Sequence, residues 1–367
     1  MPSTPPTHAL KLAAAVTFGL VAALALGEIG LRVVEAAWEA AVPKGVVRSA
    51  QGVVLSPKEL HRPTPAGKRI RPNLDVLVQR HLVSGRDVHV RTNSLGIRGP
   101  EIPPKSADEF RILVLGDSIT FADYVEEDET YPAYLEQRLR ASHSRQSIRV
   151  INAGGPNIGT IEEAELLAEL APAVHPDLVL VGFYLNDSRV QVGYPDVLRL
   201  PSWLRWSRLV QRVVMSWAYY RHRTHAGRTY DWARAFLERR WLSDRAAYEQ
   251  LISFAEADWG AAWREESWPL VEAGFRRMLM LGQRYGFRVA MAAFPVRVQV
   301  ESQIWDNRPQ QRLKLLADQL GIPLLDLLPI LRASANRNFY DHCHLTPTGN
   351  ALVGVHLAGF VRTIAKD

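Results

Sequence analysis

The sequence predicts an α/β protein in three layers, α/β/α, with a parallel sheet between helices. Two observations carry this prediction. From Phe110 onward, short apolar runs alternate with longer segments of helical periodicity, a pattern that suits repeated β-α units with crossover helices. The polar motifs of this half of the chain follow directly on the apolar runs, at the strand ends where such sheets gather their chemistry.

Taken in order, Leu12 to Gly27 is a run without charge, slightly shorter than the ~20 residues that usually span a bilayer. Its helical pattern continues through Glu28 and Arg32, which can pair at i,i+4. The segment 1–39 therefore reads as an uncleaved membrane anchor, or as a signal peptide cut near Ala23-Leu24-Ala25. Residues 40–108 form a small β-rich connector, in which Val76–Gln79 and Val88–Arg91 alternate as strands do. The main domain then occupies 109–367. Strands are expected at 111–115, 148–152, 177–183, 287–293 and 323–326, and helices at 131–141, 160–171, 270–285, 308–320 and 347–364.

The interval 188–269 breaks the alternation and holds eight of the ten tryptophans, interleaved with arginines such as Arg205, Arg208 and Arg212. It reads as a helical insertion. Three roles suit it: a subdomain packed on its own aromatic core, a lid or wall for an acyl or glycosyl substrate, and a membrane-interface helix.

Gly116-Asp117-Ser118 follows the apolar run Ile112–Leu115 and sets a hydroxyl on the turn leaving a buried strand. A serine hydroxyl needs an imidazole to take its proton, and a carboxylate to hold the imidazole tautomer. Asp341 and His344, three apart near the C-terminus, supply that pair. Asp326 is the rival acid, but its position after Pro323-Leu324-Leu325 suits a turn or helix cap. Asn186, at the end of the apolar run 177–183, offers a side-chain amide to the negative oxygen that develops during acyl transfer.

These pieces resemble the four ordered motif blocks of the SGNH hydrolases, also called the GDSL esterase/lipase family. Gly116-Asp117-Ser118 is similar to the first block, Asn152–Thr160 to the second, Asn186-Asp187 to the third, and Asp341–His344, with its Asp-x-x-His spacing, to the last. The resemblance covers roughly residues 109 to 367. It implies a flavodoxin-like fold in which Ser118 attacks, His344 is the base and Asp341 orients it. The oxyanion hole would comprise the Ser118 N–H, Asn186 and the backbone at Asn157, which stands where relatives carry a glycine. Ala122 and Leu185 also replace glycines that are common in the family. Asn93–Glu101 resembles a leader found before the domain in anchored bacterial members. Together with the short N-terminal tail, that likeness favours a single-pass protein of the cell membrane, its catalytic domain facing the periplasm or exterior.

The net charge of +6 and pI near 9.5 suit an anionic lipid, an acidic polysaccharide or no specific partner, and no nucleic-acid-reading motif accompanies them. The single cysteine, Cys343, excludes an internal disulfide framework and reads as a small packing residue. His175, His222 and His225 lack partners at metal-ligand spacing. No metal or cofactor is implied. The expected activity is a serine esterase or acyl hydrolase acting on an acylated small molecule, glycan or lipid. The alternatives are an O-acyltransferase of an envelope polysaccharide and a silent carbohydrate-binding or envelope-assembly protein.

Overall fold

The computed structural model describes residues 7–41, 61–64, 67–78, 80–141, 147–156, 158–189, 200–225, 232–256, 258–334 and 337–365. The strands are β1 (His61–Thr64), β2 (Gly67–Ile70), β3 (Asp75–Val78), β4 (Val88–Arg91), β5 (Glu109–Gly116), β6 (Ser147–Asn152), β7 (Leu178–Tyr184), β8 (Arg288–Phe294) and β9 (Leu324–Asp326). The helices are α1 (Thr7–Ala41), α2 (Ser118–Phe121), α3 (Tyr131–Arg140), α4 (Thr160–Val174), α5 (Ser202–Arg205), α6 (Arg208–His225) and α7 (Trp232–Leu237). They continue with α8 (Arg245–Phe254), α9 (Trp268–Tyr285), α10 (Arg297–Glu301), α11 (Arg308–Leu320), α12 (Leu328–Ala333) and α13 (Pro347–Ala365).

Two compact units result. One comprises Met1–Pro43 and Val192–Gly227, the other Lys44–Gln191 and Arg228–Asp367. The first is helical. Its α1 contains a stretch, Leu10–Ala37, long and apolar enough to cross a membrane. Glu28 of α1 accepts hydrogen bonds from Ser207 Oγ (2.8 Å), Arg208 N (2.9 Å), Leu209 N (3.0 Å) and Arg32 Nε (2.7 Å). The i,i+4 pair expected from sequence is therefore present, and the same carboxylate caps α6.

In the second unit a five-stranded sheet runs in the order β6-β5-β7-β8-β9, with every neighbouring pair parallel. All five strands fall where the apolar runs predict them. β5 and β7 are central, and Ile112–Leu115 and Leu178–Tyr184 are buried, which explains why these strands read as unbroken apolar runs rather than alternating ones. The chain steps from β5 one way to β6, then back past β5 to β7 and onward. Right-handed crossovers consequently place α3 and α4 on opposite faces. α13 packs on α3, and α9 packs on α4, completing three layers. The direction reverses between β5 and β7, so the loops leaving these two strands flank the crevice where such sheets bind ligands.

The antiparallel pair β3–β4 precedes this sheet and buries Val76, Val78, Val88 and Val90 in a small cluster with Ile70, Leu74 and Phe121. Arg98 is buried beside it. Its guanidinium donates to the carbonyls of Phe121, Ala122 and Val125, so a charge-bearing fork terminates the short helix α2. Ala122 itself is left-handed, with φ 51°. A residue with a Cβ in this conformation carries a steric cost of roughly 1–2 kcal/mol.

The tryptophans of the insertion divide between the units. Trp241, Trp259 and Trp268 are buried in the sheet's own core, with Trp232 and Trp263 packed against it, so these five form no separate aromatic core. Trp203, Trp206 and Trp217 are exposed on the other unit.

Close backbone approach is the constraint most easily tested. A Cβ on Gly154 would stand 2.3 Å from Phe121 N and 2.7 Å from Thr120 C, neither of which can swing away. Gly154→Ala is expected to destabilise the protein by about 1–3 kcal/mol. Gly359→Ala, in α13 with nothing within 4 Å of its would-be Cβ, should stabilise it by up to about 1 kcal/mol. Urea-unfolding midpoints should move in opposite directions for the two variants.

Candidate active site

β5 ends at Gly116, whose φ of +151° and would-be Cβ only 2.1 Å from Thr120 Oγ1 require glycine. Asp117 follows as the N-cap of α2, its carboxylate accepting from Ile119 N at 2.8 Å. Ser118 is thereby the first residue of the helix. Thr120 fills the space that side chains at Gly116, Gly154 and Gly182 would take, and its hydroxyl meets the Tyr131 hydroxyl at 2.7 Å. The turn is seated between three strand ends.

The second arm comes from the loop between α12 and α13. A bridge between Phe339 and Leu345 closes it, with Tyr340 N donating to His344 O at 2.8 Å. Within this loop Asp341 Oδ1 accepts from the N–H groups of Cys343 (3.0 Å) and His344 (2.9 Å). Asp341 Oδ2 lies 2.7 Å from His344 Nδ1, and His344 Nε2 lies 3.1 Å from Ser118 Oγ. An imidazole that donates through Nδ1 to a carboxylate presents the lone pair of Nε2 to the hydroxyl. The residues singled out from sequence are thus brought together in the order carboxylate, imidazole, hydroxyl. Asp326 is elsewhere engaged, accepting from Leu328 N at 2.9 Å.

Burial by itself would raise the Asp341 carboxyl, yet the hydrogen bond and charge of His344 hold it well below the usual range. For His344, burial opposes the imidazolium, but Asp341, and then Asp117 and Asp123, outweigh it and raise the group above its ordinary value. Asp117 is different: burial pushes its carboxyl up against the Ile119 N–H, the His344 charge and the Asn186 amide. This carboxylate lies 3.4 Å from Ser118 Oγ, while His344 occupies the closer position.

Asn186 lies in the 3₁₀ turn Leu185–Ser188 that follows β7, on the other flank of the crevice. From there its amide acts to lower the Asp117 carboxyl, against the larger effect of burial. Asn157, the expected backbone donor, lies outside the described residues. The rest of its loop is held by Gly155 N donating to Gly116 O at 2.9 Å and by Gly159 N donating to Glu162 at 3.1 Å.

A model of the GDSL-like lipase/acylhydrolase family matches residues 114–352, which include both arms of this arrangement and most of the sheet. The chain belongs to that family. It is therefore an ester-bond hydrolase. Among solved structures the chain is similar to TesA (14% identity, 69% of this chain and 98% of that one, TM-score 0.40). It is similar also to a catalytic mutant of the acetylxylan esterase Axe2 from Geobacillus stearothermophilus (14%, 69% and 94%, 0.40). A third is the psychrotrophic esterase EstA from Pseudoalteromonas sp. (11%, 70% and 99%, 0.39). Among curated proteins none matches the sequence.

Among the described residues of this GDSL-like hydrolase, one group near the site has metal-ligating atoms close together, Asp341, His342 and Cys343, all within 4.8 Å. The donor set does not suit an ion. Both Asp341 oxygens are already engaged, and burial pushes the Cys343 thiol well up, away from the thiolate that binds metal.

Several neighbours of the site were not legible as such. Tyr124 packs edge-on against the His344 ring at 4.8 Å and fixes its plane, although nothing in its sequence context distinguishes it from a core tyrosine. Asp123, which adds negative charge near His344, is paired with His81 at 3.6 Å. His342 is covered by Trp232 at 4.6 Å. Arg98 carried a signal, a lone cation in the Asn93–Glu101 segment, but its carbonyl partners could not be read from spacing.

The electrostatics give a direct expectation. By histidine NMR, His344 should titrate above the ordinary value of about 6.5. Asp341→Asn should move that titration downward, since burial then acts without its main opponent. An unmoved His344 titration in Asp341→Asn would contradict the assigned pairing.

Proposed function

We propose that the protein is a serine esterase that works through an acyl-Ser118 intermediate. The observation that supports this best is the continuous relay from Asp341 Oδ2 through His344 to Ser118 Oγ, with contacts of 2.7 and 3.1 Å. As Oγ attacks the ester carbonyl carbon, His344 Nε2 takes its proton, and the carbonyl electrons move onto oxygen. Asp341 stabilises the imidazolium. The tetrahedral intermediate collapses by breaking the bond to the alcohol, which leaves with the proton from Nε2. Water then attacks the acyl-enzyme, giving its proton to Nε2, and that proton returns to Ser118 Oγ as the acid departs.

The oxyanion would be held by the Ser118 N–H at the start of α2, the Asn186 amide and the backbone at residue 157. The turn Leu185–Ser188 that carries Asn186 follows directly on β7, at the strand end beside the crevice. The substrate class we favour is an O-acyl ester of a small molecule, glycan or lipid, with O-acetyl groups included, handled without a metal or cofactor. We further propose that α1 tethers the enzyme to the cell membrane, on the strength of its apolar Leu10–Ala37 stretch.

Ser118→Ala and His344→Ala should each lose nearly all turnover of p-nitrophenyl esters while remaining folded, because such groups act as a unit. Asp341→Asn should cost on the order of 10³–10⁴-fold in kcat. A fluorophosphonate probe should label the wild type and not Ser118→Ala, and near-normal turnover by either alanine variant would reject the mechanism. Since Nε2 must be unprotonated to accept the Ser118 proton, kcat/KM should rise with pH through the raised His344 pKa. Free acetate released from an acetyl ester is expected. An acetylated sugar formed in its place would mark an acyltransferase using the same relay.

A further inference from the structure

The hydrolase chemistry does not use the exposed aromatic residues of the helical unit. Trp203 and Trp206 are 72% and 68% exposed, which is a high proportion for large amphipathic rings that usually find cover in a soluble protein. Their place along α1 is fixed by a specific set of bonds. The Arg32 guanidinium sits 4.4 Å over the Trp206 ring and donates to Trp206 O at 2.8 Å. Glu28, one turn earlier, receives the first N–H groups of α6 and the Ser207 hydroxyl. Trp206 therefore lies level with Glu28–Arg32, and α5, which carries Trp203, leads directly into it.

That level coincides with the end of the apolar run. Between Lys11 and Glu28 the helix carries no charge, and at 1.5 Å per residue this stretch is roughly 25 Å long. A length of that order suits a hydrocarbon core of about 30 Å whose terminal lysine reaches toward the headgroups. A carboxylate engaged by four donors, two of them backbone N–H groups, belongs at the boundary of that core rather than inside it. Beyond this point α6 follows α1 outward. Gly27 faces Leu209, and Glu35 meets Arg208 (3.7 Å) and Arg212 (3.3 Å).

We propose that Trp203 and Trp206 sit in the headgroup layer of a phospholipid bilayer, as a collar that fixes the depth of α1, with Arg32 and Arg205 facing lipid phosphates. Tryptophan rings concentrate at this depth because one edge is apolar and the other donates a hydrogen bond. Neighbouring arginines add attraction to anionic lipids. Further along α6, Trp217 stands off the bilayer in the aqueous phase. The proposal rests on the reading of α1 as a membrane anchor, concerns the helical unit alone and is independent of the esterase chemistry.

The test uses the full chain carrying Cys343→Ser, which removes its only cysteine, reconstituted in phosphatidylcholine–phosphatidylglycerol vesicles. Single cysteines are introduced as Phe18→Cys, Trp203→Cys, Arg205→Cys, Trp206→Cys and Trp217→Cys and labelled with an environment-sensitive fluorophore. Arg205→Cys keeps both tryptophans, so it reports even if a tryptophan variant folds poorly. Labels at 203, 205 and 206 should be quenched at least threefold more by headgroup-level nitroxide lipid than by aqueous iodide. The label at 217 should show the reverse preference. Phe18→Cys should respond to nitroxide near the acyl-chain end and reports separately whether α1 is embedded. Iodide quenching at 203, 205 and 206 equal to that at 217 would overturn the proposal. So would shielding from both quenchers, which would mark a protein partner, and so would equal lipid quenching at 217. A deep Phe18 label beside iodide-exposed 203–206 would reject the collar while leaving the anchor intact.

Discussion

The site depends on three strand ends meeting without side chains between them. Gly116, Gly154 and Gly182 come so close around Thr120 that a methyl group on any of them would collide with it or with its neighbours. Because that space is free, the turn bearing Ser118 settles onto the carboxyl edge of the sheet, and Thr120 locks it through Tyr131. The Ser118 hydroxyl then points where the Asp341–His344 loop can reach it. The low compressibility of such packing makes the arrangement a fixed feature of the scaffold.

Much of this was legible from the sequence. The interior strands β5, β7 and β8 announced themselves as apolar runs because a central parallel strand is covered on both faces and has no solvent side to interrupt the run with polar residues. Ser118, Asp341 and His344 were legible because the Asp-x-x-His offset is local and strand-end motifs fall on one edge. What escaped was non-local. No periodicity states that Arg98 will find the carbonyls of Phe121, Ala122 and Val125, or that Tyr124 will lie against His344. Those contacts join segments whose separation carries no pattern. The electrostatic coupling of Asp117 to His344 and Asn186 escaped likewise, since Asp117 already had a local role as a helix cap.

The aromatic insertion shows the same limit from another side. Composition marked 188–269 as one region, whereas its tryptophans divide at about residue 228 between two units. The five that join the sheet's core cover apolar surface near the site, and His342 is sheltered by one of them. The three that remain exposed belong with α1. A count of aromatics along the chain has no means of separating rings that serve burial from rings that meet an external phase.

The Glu28 cluster joins two stretches of chain that are more than 170 residues apart in sequence. A chain shortened to start at Lys44 would retain Val192–Gly227 but forfeit the carboxylate that occupies the first turn of α6. The hydroxyl of Ser207 and the N–H groups of Arg208 and Leu209 would need water instead, and the flank facing Gly27 would be bared. Detaching this enzyme from its leading helix is thus not a neutral trimming, because the shortened version inherits an uncapped helix with a bared apolar flank unless both stretches are removed together.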